Sequence, residues 1–257
     1  MRIPYDLNNE TRGVRLSFIN NFFGVIMRFF YENLQHLGTE PAQLSFFAMA
    51  ILAMALISKL FTIPLTYQSS KSSAKMQEFQ PEIQKLKEKY GYDERILQQK
   101  TMEFYKENNI SMAGCSSCLP MLIQLVLIVA LFNVLREPSR YIFDNPSTFD
   151  HIQKNFFWVQ DLSKADPLKW VGLPLLNMIT TFAVTFLNPT TRMSKDNPAA
   201  SSMAMMKFMP VLFYFMSVSW ASGLLLYWTG GNILEILFRG ISALFVKSKK
   251  DSEPKKS

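Results

Sequence analysis

The chain has 257 residues, of which 49% are hydrophobic, and its 27 Lys and Arg against 20 Asp and Glu give a net charge of +7. Only two His and two Cys are present, and His36 and His151 lie far from Cys115 and Cys118, which excludes zinc-type spacing. The apolar residues, among them 22 Phe and 15 Met, cluster in a way that excludes an ordinary soluble domain and favours a membrane protein.

Residues 1–41 form a polar N-terminus, in which we expect no signal peptide, followed by an amphipathic segment. Over residues 16–37 the apolar side chains recur at helical spacing, so that one face can hold Phe18, Phe22, Val25, Phe29 and Leu37. Arg28 would lie mid-membrane if this helix crossed the bilayer, so the sequence predicts an interfacial helix rather than a span.

The apolar run over residues 46–67 contains a single charge, Lys59. Its length matches the roughly 20 residues that a membrane-spanning helix needs, and we expect a first span over residues 44–66 that exits at Pro64. A charge inside a span costs at least about 2.5–3.5 kcal/mol, so Lys59 is expected to face protein or a water-filled cavity. Snorkelling to the interface is the alternative.

Residues 68–114 predict a charged helical hairpin. Its first arm carries an apolar stripe at steps of three and four: Met76, Phe79, Ile83, Leu86 and Tyr90. Gly91 breaks the hairpin, while Pro81 either kinks the first arm or restarts the helix. The second arm carries a matching stripe: Leu97, Thr101 and Phe104. The charges nearly balance, which favours a solvated helical pair over a catalytic unit.

Four further spans complete a predicted core over residues 42–246. Two cover residues 119–135 and 171–187, with the loop 137–170 between them. The apolar stretch 203–246 is too long for one crossing and is expected to turn at residues 219–223. The sequence thus predicts an all-α membrane protein with five transmembrane helices and a basic, disordered tail, 247–257.

Basic residues predict the orientation of this core. If the N-terminus is outside, sixteen Lys and Arg lie inside and nine outside. The positive-inside tendency then places the hairpin and the C-terminus in the cytoplasm and the loop 137–170 outside.

Polar residues recur within the spans: Lys59, Gln124, Asn133, Asn177, Thr180, Thr185, Asn232 and Glu235. Hydrogen bonds between helices account for several of them in the simplest interpretation, and Glu235 is a candidate counter-charge for Lys59. Cys115 and Cys118 have redox-type spacing at a helix entry, but small residues packing there are the simpler explanation.

Six motifs in order carry a resemblance to a known family: KLFTIPLT, KMQEFQPEIQKLKEKYG, AGC with CLPMLIQ, FFWVQDLSKADP, KFMPVLFYF and GLLLYWTGGN. The chain resembles the YidC-type membrane protein insertases in their five-span, Gram-positive-like form. The resemblance implies a hydrated groove, with Lys59 in the place of the family's arginine, Gln124 at its glutamine and Trp228 at its aromatic. We add Asn177, Thr181, Asn232 and Glu235 to this predicted substrate-binding groove. Lysine keeps the charge but loses the forked donor.

The resemblance further implies a non-enzymatic insertase and chaperone without a cofactor in the bacterial plasma membrane. Its implied partners are nascent membrane proteins, the ribosome and the lipid bilayer, with the Sec translocon as a further candidate and no DNA. The alternative is a small-solute or ion transporter with a Lys59–Glu235 site, against which stand the odd span number and the lack of an internal repeat. A redox enzyme using Cys115 and Cys118 is a more distant alternative.

Overall fold

The computed structural model describes the backbone of residues 7–36, 38–108, 114–143, 146–187 and 198–252. It describes the side chains of residues 18–36, 38–66, 68, 78–79, 81–108, 122–138, 140–143, 147–187 and 208–241. Within these ranges the chain is helical, and its extended pairings are isolated bridges rather than strands. The all-α prediction is confirmed for this part of the chain.

Ten helices follow one another along the described backbone: α1 (Leu7–Gln35), α2 (Phe46–Glu78), α3 (Gln80–Tyr90), α4 (Glu94–Glu107), α5 (Gly114–Arg136), α6 (Pro138–Tyr141), α7 (Pro146–His151), α8 (Leu173–Leu187), α9 (Pro198–Ser217) and α10 (Ser222–Ser252).

Helix α2 contains the first predicted span. Its segment Phe46–Thr66 is, among the described residues, the one long and apolar enough to cross a membrane. The apolar segment ends at Thr66, close to the predicted exit at Pro64, while the helix itself continues to Glu78. Proline removes one main-chain hydrogen bond, but nearby threonine hydroxyls can satisfy carbonyls around it. Here the Thr66 hydroxyl donates to the Ile63 carbonyl at 2.9 Å.

The other four predicted crossings fall on α5, α8, α9 and α10. Helices α5 and α10 have 23 and 31 residues, which suits a hydrocarbon core about 30 Å thick, whereas the 20 residues of α9 include Lys207. The described apolar parts of α5, α8 and α9 are shorter than a span needs: Leu122–Arg136, Leu173–Leu187 and Phe208–Ser217. The five-span count therefore stays a prediction.

The end of the chain combines a confirmed and a wrong prediction. Helix α9 ends at Ser217 and α10 begins at Ser222, which confirms the turn predicted at residues 219–223. The disorder predicted from residue 247 is wrong as far as Ser252, because α10 continues through it. Residues 241–252 lack Gly and Pro, so the first helix breaker is Pro254. Residues 253–257 lie outside the described part.

The chain divides into two compact units, and the divisions fall within helices. The first unit comprises residues 1–58, 124–176 and 216–231, and the second comprises residues 59–123, 177–215 and 232–257. The first unit holds the large apolar core, whose fully buried side chains include Met27, Phe47, Ile51, Leu131, Leu162 and Leu225.

Helix α1 packs one face into the core of the first unit. Phe23, Met27 and Tyr31 are buried there, and a Cβ at Gly24 would clash with the Tyr141 carbonyl. The opposite face is exposed and carries the predicted stripe: Phe18, Phe22, Val25 and Phe29. The shared face is confirmed for these four residues, while Leu37 lies outside the described part.

The loop 137–170 fixes the start of α10 within the same unit. The Gly223 amide donates to the Leu162 carbonyl at 2.8 Å, and the Ser222 amide donates to the Lys164 carbonyl at 2.7 Å. These bonds occupy amides at the beginning of α10 that have no acceptor within the helix. The loop is thus an ordered cap for α10.

The predicted helical hairpin is formed by α3 and α4 in the second unit. Helix α3 begins anew after Glu78 with Pro81 in its first turn, which confirms the restart alternative. The Asp93 carboxylate caps α4 by accepting from the Arg95 amide at 2.9 Å. The two predicted stripes meet where the rings of Phe79 and Phe104 lie 5.7 Å apart.

Candidate functional site

A charge cluster forms in the second unit between α2 and α10. The Lys59 ammonium lies 2.7 Å from Oε2 of Glu235, and the two side chains are 14% and 16% exposed. An ion pair this sheltered from water stabilises the fold more than a surface pair only if the other donors and acceptors of both charged groups are also hydrogen-bonded. The predicted pairing of Lys59 with Glu235 is confirmed, and it favours an inward position for Lys59 over snorkelling.

Arg239 completes the cluster from one turn further along α10. Its Nη2 and Nε atoms donate to Oε1 of Glu235 at 2.9 and 3.2 Å, and its side chain is 23% exposed. The spacing of four residues places both side chains on one helix face. Arg239 was not predicted from the sequence, although its position four residues after Glu235 on a predicted helix favours an ion pair.

A second polar group lies between α8 and α10 in the same unit. The Asn232 amide donates to the hydroxyls of Thr181 at 2.9 Å and Thr180 at 3.3 Å. Asn232 precedes Glu235 by three residues and so shares its helix face. The structure thereby brings four predicted site residues into two contacts: Lys59 with Glu235, and Thr181 with Asn232.

The side chain of Asn177, on α8, has a hydrogen-bond acceptor without a donor in the described part of the chain. Its side chain is 2% exposed, and its Oδ1 atom has no hydrogen-bond partner among the described residues. Leaving a buried amide oxygen unpaired costs about 1–3 kcal/mol, so this atom favours contact with a donor from water or a bound segment.

Gln124 and Trp228, the other two predicted site residues, belong to the first unit. Gln124 is half-buried on α5, and Trp228 is buried on α10, where its ring stacks on Trp220 with centroids 6.2 Å apart. Cys115 and Cys118 lie in the first two turns of α5, and their side chains lie outside the described part. The interpretation of both as small residues packing at a helix entry stays a prediction.

The chemistry of these side chains is binding chemistry. Ammonium, guanidinium, amide and hydroxyl groups hold anions and hydrogen-bonding partners. The described residues contain no group of three or more His, Cys, Asp or Glu placed to hold a metal ion. The cluster therefore carries a sheltered net positive charge, which suits an acidic group.

Comparisons with known proteins identify a family. Residues 41–249 match the family model described as 60Kd inner membrane protein. Over 201 residues the chain is 33% identical to a membrane protein insertase YidC of Fusobacterium nucleatum, covering 78% of this chain and 88% of that relative. It is 37% identical over 191 residues to the namesake from Francisella philomiragia, covering 74% of this chain.

Several relatives are much longer than this chain. The chain spans 31% of the Francisella protein and 38% of a membrane protein insertase YidC from Leptospira interrogans, to which it is 29% identical. Among solved structures, it is similar to a crystal structure of active YidC insertase with the first transmembrane domain resolved. The TM-score is 0.59 at 26% identity, covering 84% of this chain and 45% of that one.

Proposed function

Because the chain belongs to the 60Kd inner membrane protein family, we propose that it is a membrane protein insertase and chaperone. It places other proteins in the bilayer and helps them fold by binding alone, without covalent catalysis. The observation that carries the proposal is the sheltered Lys59–Glu235 pair, whose Lys59 lies within the apolar helix segment Phe46–Thr66.

The proposed site is a hydrated groove. Its members are the predicted residues Lys59, Gln124, Asn177, Thr181, Trp228, Asn232 and Glu235. Lys59 attracts an acidic group in the short outer tail of an incoming protein, while amides and hydroxyls replace part of the tail's hydration. The apolar span of the substrate moves into lipid, and its burial supplies about 25 cal/mol per Å² of driving free energy.

The proposed topology has five spans, an outer N-terminus, and a cytoplasmic C-terminus and hairpin. The excess of sixteen basic residues inside over nine outside supports it, as do the lengths of α5 and α10. The exposed apolar stripe of α1 suits a helix lying in the outer interface.

The proposed partners are nascent membrane proteins and the bilayer of the bacterial plasma membrane, with the ribosome and the Sec translocon acting during synthesis. Lysines of the C-terminal tail support contact with an anionic surface such as ribosomal RNA or lipid headgroups. The transporter alternative has the same Lys59–Glu235 pair in its favour but not the family membership, so we do not adopt it.

The test is insertion into vesicles. Purified protein is reconstituted into liposomes, a single-span protein with a short acidic tail is added, and protease protection of that tail is measured. We expect protection to require the reconstituted protein and to survive in a Lys100→Gln variant, which removes an exposed ion pair of the hairpin. Equal protection in empty liposomes would contradict the proposal, and solute or ion flux without insertion would support a transporter.

A further inference from the structure

The three charges of the cluster stand out from the charge distribution of the whole sequence. The proposed topology places 25 of the 27 Lys and Arg on the two sides of the membrane, and the remaining two are Lys59 and Arg239. Of the 20 Asp and Glu, only Glu235 lies within a predicted span. These three side chains are also the ones that contact each other.

Glu235 divides its two oxygens between the two cations. Oε2 accepts from Lys59 at 2.7 Å, whereas Oε1 accepts from Nη2 and Nε of Arg239 at 2.9 and 3.2 Å. Because each oxygen serves one partner, Lys59 can leave Glu235 without breaking a bond to Arg239. Arg239 directs two donors at Oε1, whereas Lys59 directs one donor at Oε2, so Arg239 contributes more hydrogen bonds to Glu235 than Lys59 does.

The cluster carries a net charge of +1 in a sheltered position. A carboxylate left without a cation there would be strongly disfavoured, so a site containing Lys59 and Glu235 alone would resist losing Lys59 to a ligand. With Arg239 present, one incoming carboxylate that takes Lys59 brings the cluster to neutrality. Glu235 stays paired throughout this exchange.

We propose that Arg239 is a positioning residue that holds Glu235 while Lys59 transfers to one carboxylate of the incoming segment. This inference rests on the proposed function and specifies its substrates. The cluster accepts one acidic group, because a second would make the net charge negative and stand unpaired. Tails with a single acidic residue should therefore enter more readily than neutral tails or tails with two adjacent acids.

The experiment compares variants on matched substrates in the vesicle assay. The substrates are single-span proteins whose outer tail contains one Asp or, in the control, Asn at the same position. The variants are Arg239→Gln, Arg239→Lys, Glu235→Gln and the double variant Arg239→Gln/Glu235→Gln. Thermal unfolding in detergent establishes that each variant is folded.

Arg239→Gln should slow insertion of the one-Asp substrate by at least about tenfold, because displaced Glu235 would be left unpaired. Its rate on the Asn substrate should stay within about twofold of the wild-type rate, since that substrate does not displace Glu235. The double variant restores a net charge of +1 and leaves Lys59 free, so it should recover the one-Asp rate. Arg239→Lys keeps the charge without the fork and should lose only about threefold.

The outcomes separate the inference from the function on which it rests. If the wild-type protein inserts neither substrate, both fail. If wild-type insertion depends on the Asp but Arg239→Gln matches wild type, only the inference is wrong. A double variant as slow as Arg239→Gln, or equal losses on both substrates, would show a merely structural role for Arg239 and likewise overturn the inference.

Discussion

The Asp166 carboxylate joins the loop 137–170 to the start of α8 by hydrogen bonds. Its carboxylate is buried at 2% exposure and accepts from the Leu168 amide at 2.8 Å, the Leu173 amide at 2.6 Å and the Trp158 indole at 3.1 Å. Leu173 is the first residue of α8, so a negative charge here also favours the helix dipole. A Cβ at Gly172 would clash with this carboxylate, which explains the glycine.

We expect Asp166→Asn to destabilise the protein by about 1–3 kcal/mol, because one acceptor oxygen is replaced by a donor facing an amide. The measurement is the free energy of unfolding in detergent. Asp150→Asn is the control, since Asp150 is an exposed carboxylate of the same loop. Equal losses in the two variants would contradict the anchoring role of Asp166.

Asp161 gives the same loop a dependence on pH. Burial raises the pKa of Asp161, but hydrogen bonds from the Ser163 hydroxyl and amide and from Lys164 together lower the pKa below its usual value. A carboxylate whose pKa is lower in the folded state stabilises the fold above its unfolded-state pKa. That contribution is lost as the pH falls through the folded-state pKa.

We therefore expect Asp161→Asn to lower the melting temperature at pH 7 and to have little effect near pH 3. Melting curves of both proteins across this pH range provide the measurement. A difference between them that stays constant down to pH 3 would show that the Asp161 charge does not stabilise the loop.

Lys59 is expected to act by its charge. Lys59→Arg should retain most insertion of substrates with acidic outer tails, because the positive charge next to Glu235 is kept. Lys59→Glu places two carboxylates together and should reduce that insertion by at least about tenfold. The vesicle assay measures both rates. Normal insertion of acidic tails by Lys59→Glu would refute an electrostatic role.

The sequence predicts the partner of a single residue well where a charge inside a span requires an opposite charge. Lys59 and Glu235 are 176 residues apart, yet their pairing follows from the cost of an isolated charge in a span. Arg239 escaped prediction because Lys59 alone already balances the charge of Glu235, so the cost of an isolated charge requires no second cation. Asp166 escaped because its donors come from two loop residues and the first residue of α8, which no periodic pattern reveals.

The hairpin is the element whose interior the sequence predicts most fully. Its stripes follow helical spacing, and the contact of Phe79 with Phe104 and the burial of Ile83 agree with them. Helix ends were less predictable, since Pro64 interrupts the sequence pattern but not α2, whereas Pro81 does begin a new helix. A proline fixes its own geometry, and the neighbouring residues decide whether the helix tolerates it.

We expect Phe104→Ala to loosen the hairpin. The loss of the ring contact with Phe79, worth about 0.5–1.5 kcal/mol beyond area burial, should speed amide exchange in α3 and α4 by about fivefold. Exchange in the first half of α2 should be unchanged, because that half belongs to the other unit. Met102→Ala, at an exposed position of α4, is the control. Unchanged exchange in both arms would show that the ring contact does not hold the hairpin.

At the scale of the whole molecule, charge is distributed along the chain in two ways. Two cations are sheltered in the cluster with Glu235, while the others lie outside the predicted spans, where they can set orientation or bind anionic surfaces. The last eleven residues, 247–257, illustrate both possibilities. They carry five lysines against Asp251 and Glu253. The first three of these lysines lie in the last turns of α10, which ends at Ser252.

We expect residues 247–257 to tether the protein to ribosomal RNA. Replacing their five lysines with Gln, which preserves the length of the chain, should weaken co-sedimentation with ribosomes and reduce its salt dependence by a slope of up to about 4. The paired change Asp251→Asn with Glu253→Gln should strengthen co-sedimentation, because it removes the opposing charges. Labelling of a C-terminal tag must show the same membrane orientation in each variant. Unchanged co-sedimentation at every salt concentration would leave these lysines with an orienting role alone, since the positive-inside tendency requires basic residues near the bilayer but no bound partner.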